Sequence, residues 1–342
     1  MSEQAKRYLI IGPAWIGDMV MAQSLFIDIK QREPNSSIDV LAPTWTAALI
    51  DRMPEVRKLI PADFIHGKLS LGMRYQIGKK LRQEAYTHAI TLPNSIKSAL
   101  VPAFAKIPVR TGFIGEQRWG LLTDIRKLNK SKLPMTVQRF ISHGLDKNAP
   151  VRSIDSIPAP LLTSKEIDVQ SVLAKFRLSL DKKALVLCPG AEFGISKQWP
   201  KGYYAEVAQY YLSLGWQIWL MGSEKDVDIC EAINQTSSNS CITLAGKTSL
   251  PEAVDLISQA NLVVSNDSGL MHIAAALQAP LIAIYGSTDP GHTPPLSENH
   301  SVLRLGLECS PCFKRECPLG HLNCLKDLSS QQVINAAEGL LQ

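Results

Sequence analysis

The chain reads as two doubly wound α/β units in tandem, and three observations predict it. Its 342 residues exceed one core of average size. Short apolar strand patterns alternate with longer helical ones through both halves. A break with three prolines and neither pattern, "APVRSIDSIPAPLLT", separates the halves at about residues 150–165. The β-α-β-α order implies parallel strands with helices on both faces of each sheet. Ligands in such sheets bind beyond the carboxyl ends of the strands. Domains are therefore expected at 1–160 and 161–342, facing one another across a ligand cleft.

In order, "RYLIIG" is a strand and "DMVMAQSLFIDIKQREP" a helix with apolar residues at helical spacing. "SSIDVLAP" is a strand and "WTAALIDRMPEV" a helix. "KLIPAD" is a short strand, "LSLGMRYQIGKKLRQEA" a helix and "YTHAITLPN" a strand. "SIKSALVPAFAKI" is a helix, and "VRTGFIG" a strand or loop. After the break come strand "ALVLCPG", helix "GYYAEVAQYYLSLG", strand "WQIWLMGS", helix "EKDVDICEAINQ" and strand "CITLAG". Helix "LPEAVDLISQA", strand "NLVVSND", helix "GLMHIAAALQ" and strand "PLIAIYG" complete the second unit.

Composition narrows the function. Hydrophobic residues make up 45% and charged residues 20%, an ordinary globular balance. The N-terminal apolar run is too short for a signal peptide, and no stretch reaches the ~20 apolar residues of a membrane span. A cytoplasmic protein is expected. The net charge of +5 is spread rather than clustered with aromatics. That suits an anionic small substrate or membrane surface and argues against nucleic acid.

Chemistry concentrates in the loops after strands. Residues 10–25, "IIGPAWIGDMVMAQSL", run strand, Gly-rich loop, helix, but match no phosphate-loop spacing and place the acid Asp18 at the loop's mouth. "LCPGAEFGISKQWP" offers Lys197, a cation suited to phosphate or merely solvated. "VVSNDSGLMHIAAAL" ends a buried strand at Asp267, Ser268 and Gly269, with His272 one turn into the helix. Free N–H groups at that N-terminus would bind a diphosphate; a plain N-cap and a core histidine are the simpler reading. In "LMGSEKD", Glu224 is a ribose or base acceptor, or a carboxylate placed for the helix dipole. Lys97, Arg110 and Arg118 together would form a basic wall for an anionic acceptor.

These motifs in order ("GPAWIGDMVMAQSL", "RMPEV", "LPNSIKSALVP", "RTGFIGEQRWGLL", "CPGAEFGISKQWP", "SNDSGLMHIAAAL") resemble the ADP-heptose:lipopolysaccharide heptosyltransferases of glycosyltransferase family 9, over about residues 8–290. The likeness is greatest to those adding the second inner-core heptose. It implies a GT-B fold of two Rossmann-like domains, with an N-terminal acceptor-binding and a C-terminal ADP-heptose-binding domain. It also implies metal-independent, inverting transfer to a lipid-linked inner-core acceptor, with peripheral contact at the inner membrane. By matching motif, Asp18 is the general base. Lys197, Asp267, Ser268, Gly269 and His272 hold the donor diphosphate and sugar, and Glu224 the adenosine end. Lys97, Arg110 and Arg118 face the acceptor. The resemblance implies as well that transfer needs no metal cofactor. Alternatives are a first-heptose or UDP-sugar GT-B enzyme, and a catalytically silent nucleotide- or glycan-binding protein.

Seven cysteines complete the account. Cys188, Cys230 and Cys241 sit in apolar surroundings as small core residues. Cys309, Cys312, Cys317 and Cys324 form C-x2-C-x4-C-x6-C around His321. That is the ligand count of a structural zinc site at non-standard spacing. Reduced thiols without a metal are the other reading, and both stay open.

Overall fold

The computed structural model describes residues 5–65 and 67–342. It divides into two compact units, Met1–Pro160 and Leu161–Gln342. The first contains β1 (Arg7–Ile11), α1 (Ile16–Arg32), β2 (Ser37–Ala42), α2 (Ala47–Ile50), β3 (Val56–Pro61), α3 (Leu71–Leu81), β4 (His88–Thr91), α4 (Ile96–Phe104), β5 (Val109–Phe113), β6 (Asp124–Arg126) and α5 (Thr136–Gly144). Its strands are all parallel, in the order β3-β2-β1-β4-β5-β6. Leu9 and Ile10 are consecutive and both fully buried. Only a strand covered on both faces needs apolar residues at successive positions.

The second unit contains α6 (Glu166–Phe176), β7 (Ala184–Cys188), α7 (Lys201–Ser213), β8 (Gln217–Leu220), α8 (Val227–Thr236), β9 (Ile242–Thr243), α9 (Leu250–Ile257), β10 (Leu262–Asn266), α10 (Gly269–Ala276), β11 (Leu281–Ile284), β12 (His300–Leu303), α11 (Asn323–Lys326) and α12 (Ser330–Leu341). Read from its other edge, this sheet has the same topology: β9-β8-β7-β10-β11-β12, again all parallel. Each sheet therefore reverses its direction of winding once, between β1 and β4 in the first unit and between β7 and β10 in the second. The loops that leave those strands flank the crevice where such folds bind ligands.

The differences from the sequence-based expectation have local causes. The helix expected over 45–56 shortens to a 3-10 turn (Thr44–Thr46) and the single turn α2. Pro54 disfavours helical backbone at Met53. β6 and β12, at the far edges of the sheets, are only three and four residues long, too short to show a period. α5, α6, α11 and α12 are likewise additions. The C-terminal segment is not an appendage: Cys324, Leu325, Val333 and Ala337 join Trp199, Tyr204 and Val264 in the second unit's core. Among the described residues no helix is long and apolar enough to cross a membrane.

Candidate active site

At the first unit's winding reversal, Gly12 follows directly on β1. A Cβ there would lie 2.7 Å from Met19 Cε and 3.2 Å from Val40 Cγ1, so any larger residue would have to displace the Met19 side chain. Gly17 lies inside α1 rather than in the loop. Trp15, extended, caps α1 without a side-chain hydrogen bond. Asp18 is in the first turn and partly exposed, where the helix dipole favours a negative charge.

The loop from β4 to α4 forms the other side of this crevice, and a buried arginine holds it. Arg118 is 0% exposed. Its Nη1 donates to Pro93 O at 2.7 Å and Ser95 O at 3.2 Å, and its Nε to Phe113 O at 3.0 Å. Ser98 Oγ and Asn94 Oδ1 accept further hydrogen bonds from it. Burial pulls its pKa down, opposed by Glu116. The expected basic wall is therefore corrected at this position: Arg118 spends its donors on loop carbonyls instead of facing a ligand. Arg110 is half-buried and donates to Leu121 O and Ile107 O, both at 2.6 Å. Lys97 stays partly exposed in the first turn of α4. Its carbonyl is pinned by Arg74 Nη1 at 2.9 Å, and Arg74 itself stacks 3.6 Å over the Phe64 ring.

The second unit's reversal has a different character. The loop after β7 brings Lys197 to the end of β10, where its Nζ lies 2.6 Å from Asp267 Oδ2 and 3.3 Å from Asp267 O. Thr288 Oγ1 donates to the same carboxylate oxygen at 2.6 Å. The pair is nearly enclosed, with side chains 14% and 4% exposed. Lys197 also sits 5.1 Å from the Phe193 ring centre. A buried pair of this kind depends on both partners, because removing one strands the other's charge.

Ser268 caps α10, its Oγ accepting from Met271 N at 3.4 Å. The cap positions Gly269 at the first helical residue, with the dipole's positive end at the crevice. His272 lies behind: its Nε2 is 4.0 Å from Asp267 Oδ1, too far for a hydrogen bond. Burial pulls its pKa down to about 4 against the field of Asp267, so it is neutral at pH 7. It therefore brings no charge to an anion.

Glu224, after β8, is exposed. Its Oε2 lies where a Cβ on Gly246 would come within 2.5 Å, and the φ of +69° at Gly246 is backbone that favours glycine. Asp226 and Ser223 close a capping box beside it, Ser223 N donating to Asp226 Oδ2 at 2.8 Å.

Sequence reasoning passed over two residues that organise this site. Asn266 is fully buried. Its Nδ2 donates to Pro189 O at 2.7 Å, while its Oδ1 accepts from Trp199 N and Tyr204 OH, both at 3.1 Å. It locks the Lys197 loop to β10. A polar residue ending an otherwise apolar buried strand was the available signal. Thr288 gave none beyond its Gly- and Thr-rich loop.

A family model described as glycosyltransferase family 9 (heptosyltransferase) matches residues 74–323. The chain belongs to glycosyltransferase family 9. The lipopolysaccharide heptosyltransferase 2 of Salmonella typhimurium is 43% identical to it over 343 residues, covering 98% of each chain. The lipooligosaccharide heptosyltransferase 2 of Haemophilus influenzae is 47% identical over 307 residues, covering 87% of this chain and 88% of that one. Among solved structures, the Escherichia coli ADP-heptose lipopolysaccharide heptosyltransferase II aligns with a TM-score of 0.86 at 41% identity, over 98% of both chains. A family 9 glycosyltransferase from Veillonella parvula shares the fold, with a TM-score of 0.88 at 20% identity. The two parallel six-stranded sheets of this family 9 chain are those of the GT-B fold.

Proposed function

We propose that this family 9 glycosyltransferase moves L-glycero-D-manno-heptose from ADP-heptose to the first heptose of the lipopolysaccharide inner core, with inversion. The observation that carries the donor half is the Lys197–Asp267 pair at the capped N-terminus of α10. ADP leaves with developing negative charge on its diphosphate. Lys197, held by Asp267, and the N–H groups of Ser268 and Gly269 meet that charge without a divalent ion. His272 backs Asp267 as a neutral group, and Glu224 accepts hydrogen bonds from the adenosine end.

Asp18 is the general base. It takes the proton of the acceptor hydroxyl as that oxygen bonds to the anomeric carbon, and the bond from that carbon to the ADP oxygen breaks. Lys97 supports the anionic acceptor, while Arg110 and Arg118 act on it only through the loops they hold. A lipid-linked acceptor and contact with the inner leaflet fit the exposed Trp15, Trp45 and Trp119, all in the first unit and outside its α-helices and strands. The high identity to heptosyltransferase 2 relatives over nearly the whole chain supports transfer of the second heptose rather than the first.

The test is incubation with ADP-heptose and core acceptors carrying either one heptose or none, read by product mass. Addition of one heptose to the one-heptose acceptor alone, with EDTA present, is expected. Transfer only to the heptose-free acceptor, or only from a UDP-sugar, overturns the assignment.

A further inference from the structure

The C-terminal cysteine motif is the feature that the transfer reaction leaves unused. Cys309, Cys312, Cys317 and Cys324 line a single cavity of about 20 Å³, together with His321, Ser196 and Ser287. That is about the room one water or one ion needs, and far too little for an organic ligand. Among the described residues no three His, Cys, Asp or Glu side chains already stand in a ligating arrangement. The four thiols share the cavity, and side-chain rotation is what would turn them to a common centre.

Between Cys317 and Cys324 the chain turns through left-handed backbone at Gly320 (φ +74°) and Leu322 (φ +59°), and both of these cysteines line the same cavity. His321 is excluded as a ligand through Nδ1, which accepts a hydrogen bond from Asn323 N at 2.9 Å.

This segment is also fastened to the donor loops. Ser196, adjacent to Lys197, donates its hydroxyl proton to Lys314 O, shares a hydrogen bond with Ser287 Oγ at 3.0 Å, and donates through its N–H to Arg315 O at 3.2 Å. A Cβ at Gly194 would lie 2.4 Å from Arg315 O. Phe313 N donates to Ser287 O at 2.8 Å, one residue before the Thr288 that bonds Asp267.

We propose that Cys309, Cys312, Cys317 and Cys324 bind one zinc ion as a tetrahedral tetrathiolate, and that this centre holds the loop carrying Lys197 in place. Zinc suits the site because it accepts four sulfurs tetrahedrally at about 2.3 Å and does no redox chemistry. Binding replaces the four thiol protons, which leave to solvent, and the centre carries a formal charge of −2. Lys314 and Arg315 in the same loop offset it. The ion takes no part in the transfer; the four cysteines position Lys197.

The test starts with protein purified under reducing conditions without chelator. One zinc per chain is expected. Replacement by Co2+ should produce sulfur-to-cobalt charge-transfer absorption and the intense visible bands of a tetrahedral thiolate site. Less than about a tenth of an equivalent of zinc with four titratable tail thiols, iron in its place, or a disulfide in the tail overturns the site. Cys317→Ser should abolish stoichiometric zinc, and retention of one equivalent overturns the ligand assignment. The cobalt spectrum of the unmodified chain keeps the test independent of whether that variant folds. Removing the metal should weaken ADP binding in calorimetry about tenfold, a change of ~1.4 kcal/mol; unchanged affinity overturns the positioning role. That last arm rests on the donor reading above, whereas metal content does not, so the two can fail separately.

Discussion

The two winding reversals share one topology and carry opposite chemistry. In the first unit, β1 and β4 lead to a partly exposed acid, Asp18, beside loops held by a buried arginine. In the second, β7 and β10 lead to a nearly enclosed Lys197–Asp267 pair against a capped helix. The difference teaches that the sheet only delivers loops to one crevice. What the loop bonds internally decides whether its charge is available. Arg118 and Lys197 are both cations in such loops. Arg118 is consumed by backbone carbonyls, whereas Lys197 faces a carboxylate at a helix N-terminus, where an anion can compete for it.

Breaking the first crevice at its acid should have the largest effect. Asp18→Ala is expected to lower turnover by at least about 100-fold, within the usual range for a general base, while calorimetry shows ADP binding unchanged. Near-normal turnover would remove Asp18 from the chemistry. The second crevice should break differently. Lys197→Met strands the Asp267 carboxylate and should cost about 3–5 kcal/mol in denaturant unfolding, with loss of ADP binding. A double change with Asp267→Asn should recover much of the stability and none of the binding.

Acid sharpens the comparison, because among the described residues each unit buries one histidine, His143 or His272, with its pKa pulled down to about 4. Unfolded, each binds a proton below about pH 6.5; folded, each resists until about pH 4. Stability is therefore present above pH 6.5 and falls as pH drops toward 4, by up to about 3 kcal/mol per histidine. His272→Gln should flatten the second unit's share of that slope in urea midpoints taken from pH 7 to 4.5; an unaltered slope would refute it. The smallest effect is expected at the exposed Glu224. Glu224→Gln keeps an acceptor oxygen and should weaken ADP by no more than about tenfold, the upper scale of one ordinary hydrogen bond. A larger loss would assign Glu224 more than the adenosine end.

Much of this was legible beforehand. Consecutive apolar residues marked β1, β7 and β10 as strands buried on both faces, since a parallel sheet under two helical layers demands it. Ser268 and Gly269 were readable because a cap and a glycine at a strand's carboxyl end have few other uses. The short edge strands β6 and β12 were not, because three or four residues carry no period. Arg118 misled for a general reason. An arginine in a Gly-rich loop looks the same in sequence whether its donors meet a ligand or the loop's own carbonyls.

The sequence by itself determined the alternation, the place of the break between units and the identities of Asp18, Lys197 and Asp267. These follow from periodicity and from residue type, which are local properties. Only the tertiary structure decided that Lys197 pairs with Asp267, that Asn266 ties its loop to β10, that Arg118 is buried and that the four tail cysteines line one cavity with Ser196 and Ser287. Those facts depend on contacts between residues far apart in the chain, where hydrogen-bond partners and burial, rather than residue type, set what a charge can do.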